Sequence, residues 1–104
     1  MYNAELAIRD FLLHKGVQLF WIDSAVGYIR MGLAGNSYLV SNVLTQRVTV
    51  VQGHVSSYTA TVAAIYPDSK RKAVLQLRYR FNAKAKAGAK AHKVTLTVLQ
   101  EEQA

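Results

Sequence analysis

Arg78 and Arg80 stand two residues apart in Val74-Leu75-Gln76-Leu77-Arg78-Tyr79-Arg80-Phe81, where Leu75, Leu77, Tyr79 and Phe81 alternate with Gln76, Arg78 and Arg80. Alternate residues of a strand share a side, so this is the pattern of a half-buried strand from which two guanidinium groups project together. Lys84, Lys86, Lys90 and Lys93 follow within a few residues. Arginine offers a planar fork that fits phosphate or carboxylate, and lysine on a flexible segment acts as a movable point charge. From Lys70 to Lys93 there are nine basic side chains and no Asp or Glu, in a chain of net charge +7. A field of this kind attracts phosphate polymers, anionic lipid or an acidic protein surface with little sequence specificity. The same pattern also describes a solvated face that keeps an apolar domain soluble. The candidate polyanion- or partner-binding residues are therefore Arg78, Arg80, Lys84, Lys86, Lys90 and Lys93.

Other chemistry finds less to work with. His14, His54 and His92 fall on three different expected elements, and none has a second His, Asp or Glu at a metal-ligand spacing, so no metal site is expected. His14 suits the C-terminal end of a helix, and His92 belongs with the basic segment. Glu101 and Glu102 lie in a tail, and Glu5, Asp10, Asp23 and Asp68 are scattered, which leaves no paired carboxylates for acid-base catalysis. Gly27, Gly32 and Gly35 lack the spacing of phosphate-loop or dinucleotide fingerprints and read as turn or bulge glycines, so no cofactor is expected. Phe20 and Trp21 could stack a base, but an aromatic pair in an apolar run fits core or interface better. With no cysteine, disulfides, thiolate metal sites and cysteine nucleophiles are excluded. The chain reads as a protein without enzymatic activity.

These residues need elements to hold them. Asn3 can cap a helix whose apolar positions Ala4, Ala7, Ile8, Phe11 and Leu12 recur with helical period. Glu5 in its first turn and His14 and Lys15 in its last complement the dipole, and Gly16 can end it in a left-handed conformation. Leu6 and Leu13 widen the apolar stripe, which suits a helix lying across a sheet. The apolar run from Val17 to Ile22, followed by Asp23-Ser24, reads as a strand and turn. Tyr28 to Met31 could return as a partner strand, although Ala25 to Leu33 could equally make a helical turn, and Leu33 to Ser37 reads as a turn. Tyr38 to Val43 and Gln46 to Val51 are rich in β-branched residues and read as strand. Gly53-His54 marks a bend, Ser57 to Tyr66 a further strand, and Pro67-Asp68-Ser69 a stop. Val94 to Leu99 repeats the period-two pattern and forms the second arm of a hairpin. Ala and Lys between the arms favour helix, yet Gly88 and the flanking strands predict a mobile tip. The expected fold is α+β: an N-terminal helix packed on an antiparallel sheet of about four to six strands, ending in a long basic β-hairpin.

A chain of 104 residues and 11.5 kDa is expected to form one domain over residues 1–104, because either half would be too small for its own core. Apolar residues make up 51% and charged residues 18%, too apolar for a disordered chain. Glu5 and Asp10 sit where the apolar core of a signal peptide would lie, so no export signal is read. Val17 to Leu33 is interrupted by Asp23, Arg30 and glycines and falls short of the roughly 20 apolar residues of a membrane helix. A soluble, cytoplasmic or particle-associated protein is expected. The one-helix, several-strand order resembles the scaffolds of nuclear transport factor 2-like and cystatin-like domains, in which a helix packs on a curved antiparallel sheet. That resemblance implies a fold and carries no function, since such scaffolds host enzymes, binders and secretion components alike. Two functions remain open: a structural or assembly subunit of a virion, secretion or pilus-type machine, and a nucleic-acid-binding protein using sequence-independent phosphate contacts. The abundance of Val, Leu, Tyr and Thr in a short chain favours the first, with self-association or a partner protein covering the excess apolar surface.

Overall fold

Tyr58, Ala60, Val62 and Ala64 are buried and alternate with half-buried Thr59, Thr61 and Ala63. That period of two divides the fold into an apolar face and a polar face. In this computed structural model, which describes residues 4–84 and 91–102, the element order is α1 (Ala4–His14), α2 (Leu19–Gly35), β1 (Leu39–Val51), β2 (His54–Ile65), β3 (Lys72–Phe81) and β4 (His92–Glu101). The four strands form an antiparallel meander in the order β1-β2-β3-β4, an α+β fold. Tyr58 pairs with Tyr79, Ala60 with Leu77 and Val62 with Leu75, so the buried sets of β2 and β3 lie side by side. Both helices pack on this one face, with Ile8 and Leu12 of α1 and Ile22, Ala25, Val26 and Ile29 of α2 in the same core. Among the described residues, the other face of the sheet carries no helix.

The N-terminal helix follows its expected pattern, with Glu5 in the first turn, His14 in the last and Gly16 at φ +86° beyond it. The expected cap, Asn3, lies outside the described residues. The next segment departs from expectation. Residues 17–22, read as a strand, belong instead to the 17-residue helix α2 and the two residues before it; residues 28–31, open between a strand and a helical turn, are helical, and of the turn expected over 33–37 the first three residues close the same helix. The reason is periodicity: Ile22, Ala25, Val26 and Ile29 are the buried residues of α2, and their spacing is that of one helical face. The one-helix order behind the resemblance to nuclear transport factor 2-like and cystatin-like scaffolds therefore becomes a two-helix order.

Gly32 explains why a glycine is found inside α2. A Cβ there would lie 2.6 Å from Val94 Cγ1, so its absence lets α2 settle on β4. The segments expected over 38–43 and 46–51 merge into one long strand, Leu39–Val51, with three irregularities in register against β2. Between β1 and β2, Gln52 and Gly53 both have positive φ (51° and 81°), as a two-residue hairpin turn with the right twist requires.

Candidate functional site

The helix-free face of the sheet is built from residues directly opposite one another on successive strands. One row runs Arg47, Thr59, Arg78, Thr95 across β1 to β4. The next toward the β3–β4 connection runs Thr49, Ser57, Arg80, Lys93, and the row on the other side runs Thr45, Thr61, Gln76, Thr97. Each row sits beside buried positions on β2 and β3 and half-buried ones on β1 and β4, so these side chains point away from the core. Arg47, Arg78, Arg80 and Lys93 are exposed, and the three rows contain no carboxylate. Strand geometry places Arg78 and Arg80 about 7 Å apart, Arg80 and Lys93 about 5 Å apart, and Arg47 about 10 Å from Arg78 across β2. Two shallow clefts open on this face. One of about 180 Å³ is lined by Gln76, Arg78, Arg80, Lys93, Thr95 and Thr97. The other, of about 270 Å³, is lined by Thr45, Gln46, Arg47, Thr59, Thr61 and Gln76.

Among the described residues, none of these four cations forms an ion pair. Basic groups elsewhere do: Arg71 lies 3.3 Å from Glu101, Arg30 makes a two-pronged bond to Glu5, and Arg9 pairs with Asp23. The Arg30 hydrogen bond holds the Glu5 carboxyl below its ordinary range. Arg9, Arg30 and Arg71 are thus paired, whereas Lys15, Lys70, Lys72 and Lys84, like the four cations of the bare sheet face, have no ion pair among the described residues. Of the residues expected to bind an anion, Arg78, Arg80 and Lys93 come together here. Lys84 is exposed in the turn after β3, its N–H donating to Asn82 Oδ1 at 3.0 Å, and Lys86 and Lys90 lie outside the described residues. The sequence pattern missed Arg47 and the hydroxyl rows. Arg47 and Thr49 do alternate with Val48 and Val50, but nothing local says which strand lies beside them.

A second concentration of chemistry-bearing side chains lies on the helical side at the opposite surface of the same sheet end. His92 stacks on Tyr28 of α2 with ring centroids 4.0 Å apart, and its Nδ1 shares a 2.7 Å hydrogen bond with the Tyr79 hydroxyl. Phe81 touches the rings of Trp21, His54 and His92. Burial lowers the pKa of His92 below its ordinary value, and burial followed by the nearby Tyr28 pushes Tyr79 up to about 12. These shifts keep the imidazole and phenol neutral, which suits packing of α2 on the sheet. Among the described residues no three His, Asp or Glu side chains gather as a metal site would need. A third feature is an apolar cleft of about 560 Å³ between α1, α2 and the start of β1, walled by Ile8, Val26, Ile29, Leu33, Tyr38 and Val40 with the Glu5–Arg30 pair at its side. No described helix is long and apolar enough to cross a membrane.

The fold and the charged face together define a two-layer α+β domain with one bare, cationic sheet surface. Comparison with protein-family models, with curated proteins and with solved structures yields no match.

Proposed function

We propose that this protein is a non-enzymatic structural or assembly subunit of a larger complex, joined to its neighbours through the open edge of its sheet. The observation that carries this reading is β4. It is the last strand of the sheet, and its register against β3 runs without a break from His92 to Val98. Among the described residues no strand lies on its outward side, and from Val94 to Val98 it carries no proline, charge or bulge; Lys93 and the irregularity at Leu99 flank that stretch. Natural proteins guard such edges with prolines, charges or bulges, because an unguarded edge pairs with another chain. β1, the other edge, is broken by its three register irregularities and is the poorer template. Large apolar side chains are exposed along β4 and on the helices, including Val98, Leu99, Leu6, Leu13 and Phe20, which is 72% exposed. An assembly contact would cover part of this surface.

The simplest partner is a second copy, with the two β4 strands antiparallel. A pairing centred on Thr95 sets Lys93 opposite Thr97 and avoids placing like charges face to face. The basic β3–β4 hairpin then lies beside the contact and would meet acidic groups in the rest of the assembly. Light scattering across a concentration series tests this. The expected mass is a multiple of 11.5 kDa, reduced toward the monomer by the double variant Val98→Lys, Leu99→Lys, which charges the edge. A monomer mass at every concentration removes the reading.

A further inference from the structure

We infer that the bare sheet face, rather than the lysine-rich connection between β3 and β4, is a binding surface for the sugar-phosphate backbone of a nucleic-acid duplex. The argument goes beyond self-association and rests on three observations. First, the face is electrostatically unbalanced: Arg47, Arg78, Arg80 and Lys93 come from three strands, and none has an ion-pair partner among the described residues. Second, Arg80 and Lys93 are direct cross-strand partners. Like charges facing each other weaken a sheet, so the fold tolerates a local repulsion that an anion between the two would relieve. Third, the cations are interleaved with hydroxyl and amide groups, Thr59, Thr95, Thr97, Ser57 and Gln76. Arginine, lysine, serine, threonine and glutamine are the side chains that position phosphate oxygens in nucleic-acid complexes.

The composition of the cationic rows identifies the partner further. These three rows hold no aromatic or large apolar residue, and the apolar side chains of the same face, Val74 and Ile65, lie beyond them toward the other end of the strands. The centre of a protein–protein interface is depleted in charge and anchored by such residues, which disfavours an acidic protein. Single strands are held by bases stacking on aromatic platforms, which disfavours a single strand. A duplex carries its phosphates on the outside, in rows that a flat cationic surface can meet without entering a groove, and its recognition here would be independent of base sequence.

Fluorescence anisotropy with a labelled DNA duplex, titrated at salt concentrations from about 50 to about 200 mM, tests the inference. Four neutralised phosphates give a log-log slope of about −3.6, which is an affinity loss of about 150-fold over that range. Arg47→Gln and Arg78→Gln are each expected to flatten the slope by about 0.9. Arg47 is the decisive residue, because only the sheet register puts it in the site. A triple variant with Lys84, Lys86 and Lys90 changed to alanine is expected to keep most of the slope. Arg47, Arg78 and Lys84 lie outside the core cluster, and thermal melts confirm that each variant is folded. No binding at about 50 mM salt, a slope unchanged by Arg47→Gln, loss of binding in the lysine variant alone, or equal affinity for polyglutamate or for single strands would each overturn the inference.

Discussion

Replacing Gly32 with alanine isolates the contact that seats α2 on the sheet. In a helix interior alanine is favoured over glycine by about 1 kcal/mol. Against that gain, the new Cβ would lie 2.6 Å from Val94 Cγ1 and 3.1 Å from Val94 Cβ. Carbon atoms pack at about 3.5 to 4.0 Å, so the overlap is close to an ångström. Val94 is β-branched and cannot swing aside cheaply, and overpacking of this kind costs about 1 to 3 kcal/mol. The net effect of Gly32→Ala is therefore between neutral and about 2 kcal/mol destabilising. Gly27, in the same helix, has nothing within 4 Å of its would-be Cβ, and Gly27→Ala is expected to stabilise by up to about 1 kcal/mol. Urea unfolding followed by circular dichroism and by the fluorescence of Trp21, which packs on Phe81 and His54, measures both. In a Val94→Ala background the penalty at position 32 should vanish and the helix gain reappear, a coupling that a double-mutant cycle reads directly. Equal stability of the two alanine variants, or a Gly32→Ala effect indifferent to Val94, would refute the packing argument.

Leu77 is fully buried at the centre of the core, and Leu77→Ala is expected to cost about 2 to 5 kcal/mol in urea denaturation. Tyr79→Phe deletes the hydrogen bond to His92 Nδ1 and is expected to cost about 0.5 to 1.5 kcal/mol by the same assay. Burial lowers the His92 pKa in the folded state below the ordinary 6.5, so the unfolded chain takes up this proton first. Its contribution to stability is complete above about pH 6.5 and is lost as pH falls toward the folded value; His92→Phe, which keeps a ring against Tyr28, should remove that part of the pH slope. Glu5 and Arg30 form a largely exposed pair, and Glu5→Gln is expected to cost under about 1 kcal/mol.

The strands were legible because half-burial writes itself into the sequence as a period of two. Leu75, Leu77 and Tyr79 alternate with Gln76, Arg78 and Arg80, and burial follows that alternation. The second helix was obscured by its own fit to the sheet. Gly32 is there for the approach of Val94, Gly27 adds a second apparent break, and Asp23-Ser24 resembles a turn, yet Ile22, Val26 and Ile29 keep helical spacing. β1 read as two segments because its register irregularities, between Val40 and Asn42 and between Val43 and Thr45, interrupt the alternation. For the cationic face, one strand's pattern revealed Arg78 and Arg80. Arg47 could not be added, since Arg47 meets Arg78 only through Thr59, and cross-strand register depends on turns and bulges distributed along the chain.

The edge and the face are not independent surfaces, because both use β4. Antiparallel pairing of two β4 strands is related by a two-fold axis perpendicular to the sheet, so the bare faces of the two copies lie on the same side. Lys93 of one copy would then lie about 14 Å from Lys93 of the other, four residues along the strand and one strand across, so the two sets of cations form one continuous surface. A polyanion lying across both copies engages both sets at once, and a dimer therefore binds it more tightly than a monomer does. Linkage makes the relation reciprocal: duplex nucleic acid should strengthen self-association by the factor by which self-association strengthens duplex binding. Charging the edge with Val98→Lys and Leu99→Lys adds positive groups, which would strengthen binding if net charge alone governed it. If the shared strand governs it, the same variant binds the duplex more weakly and with a flatter salt dependence, because it exposes one face where the dimer exposes two.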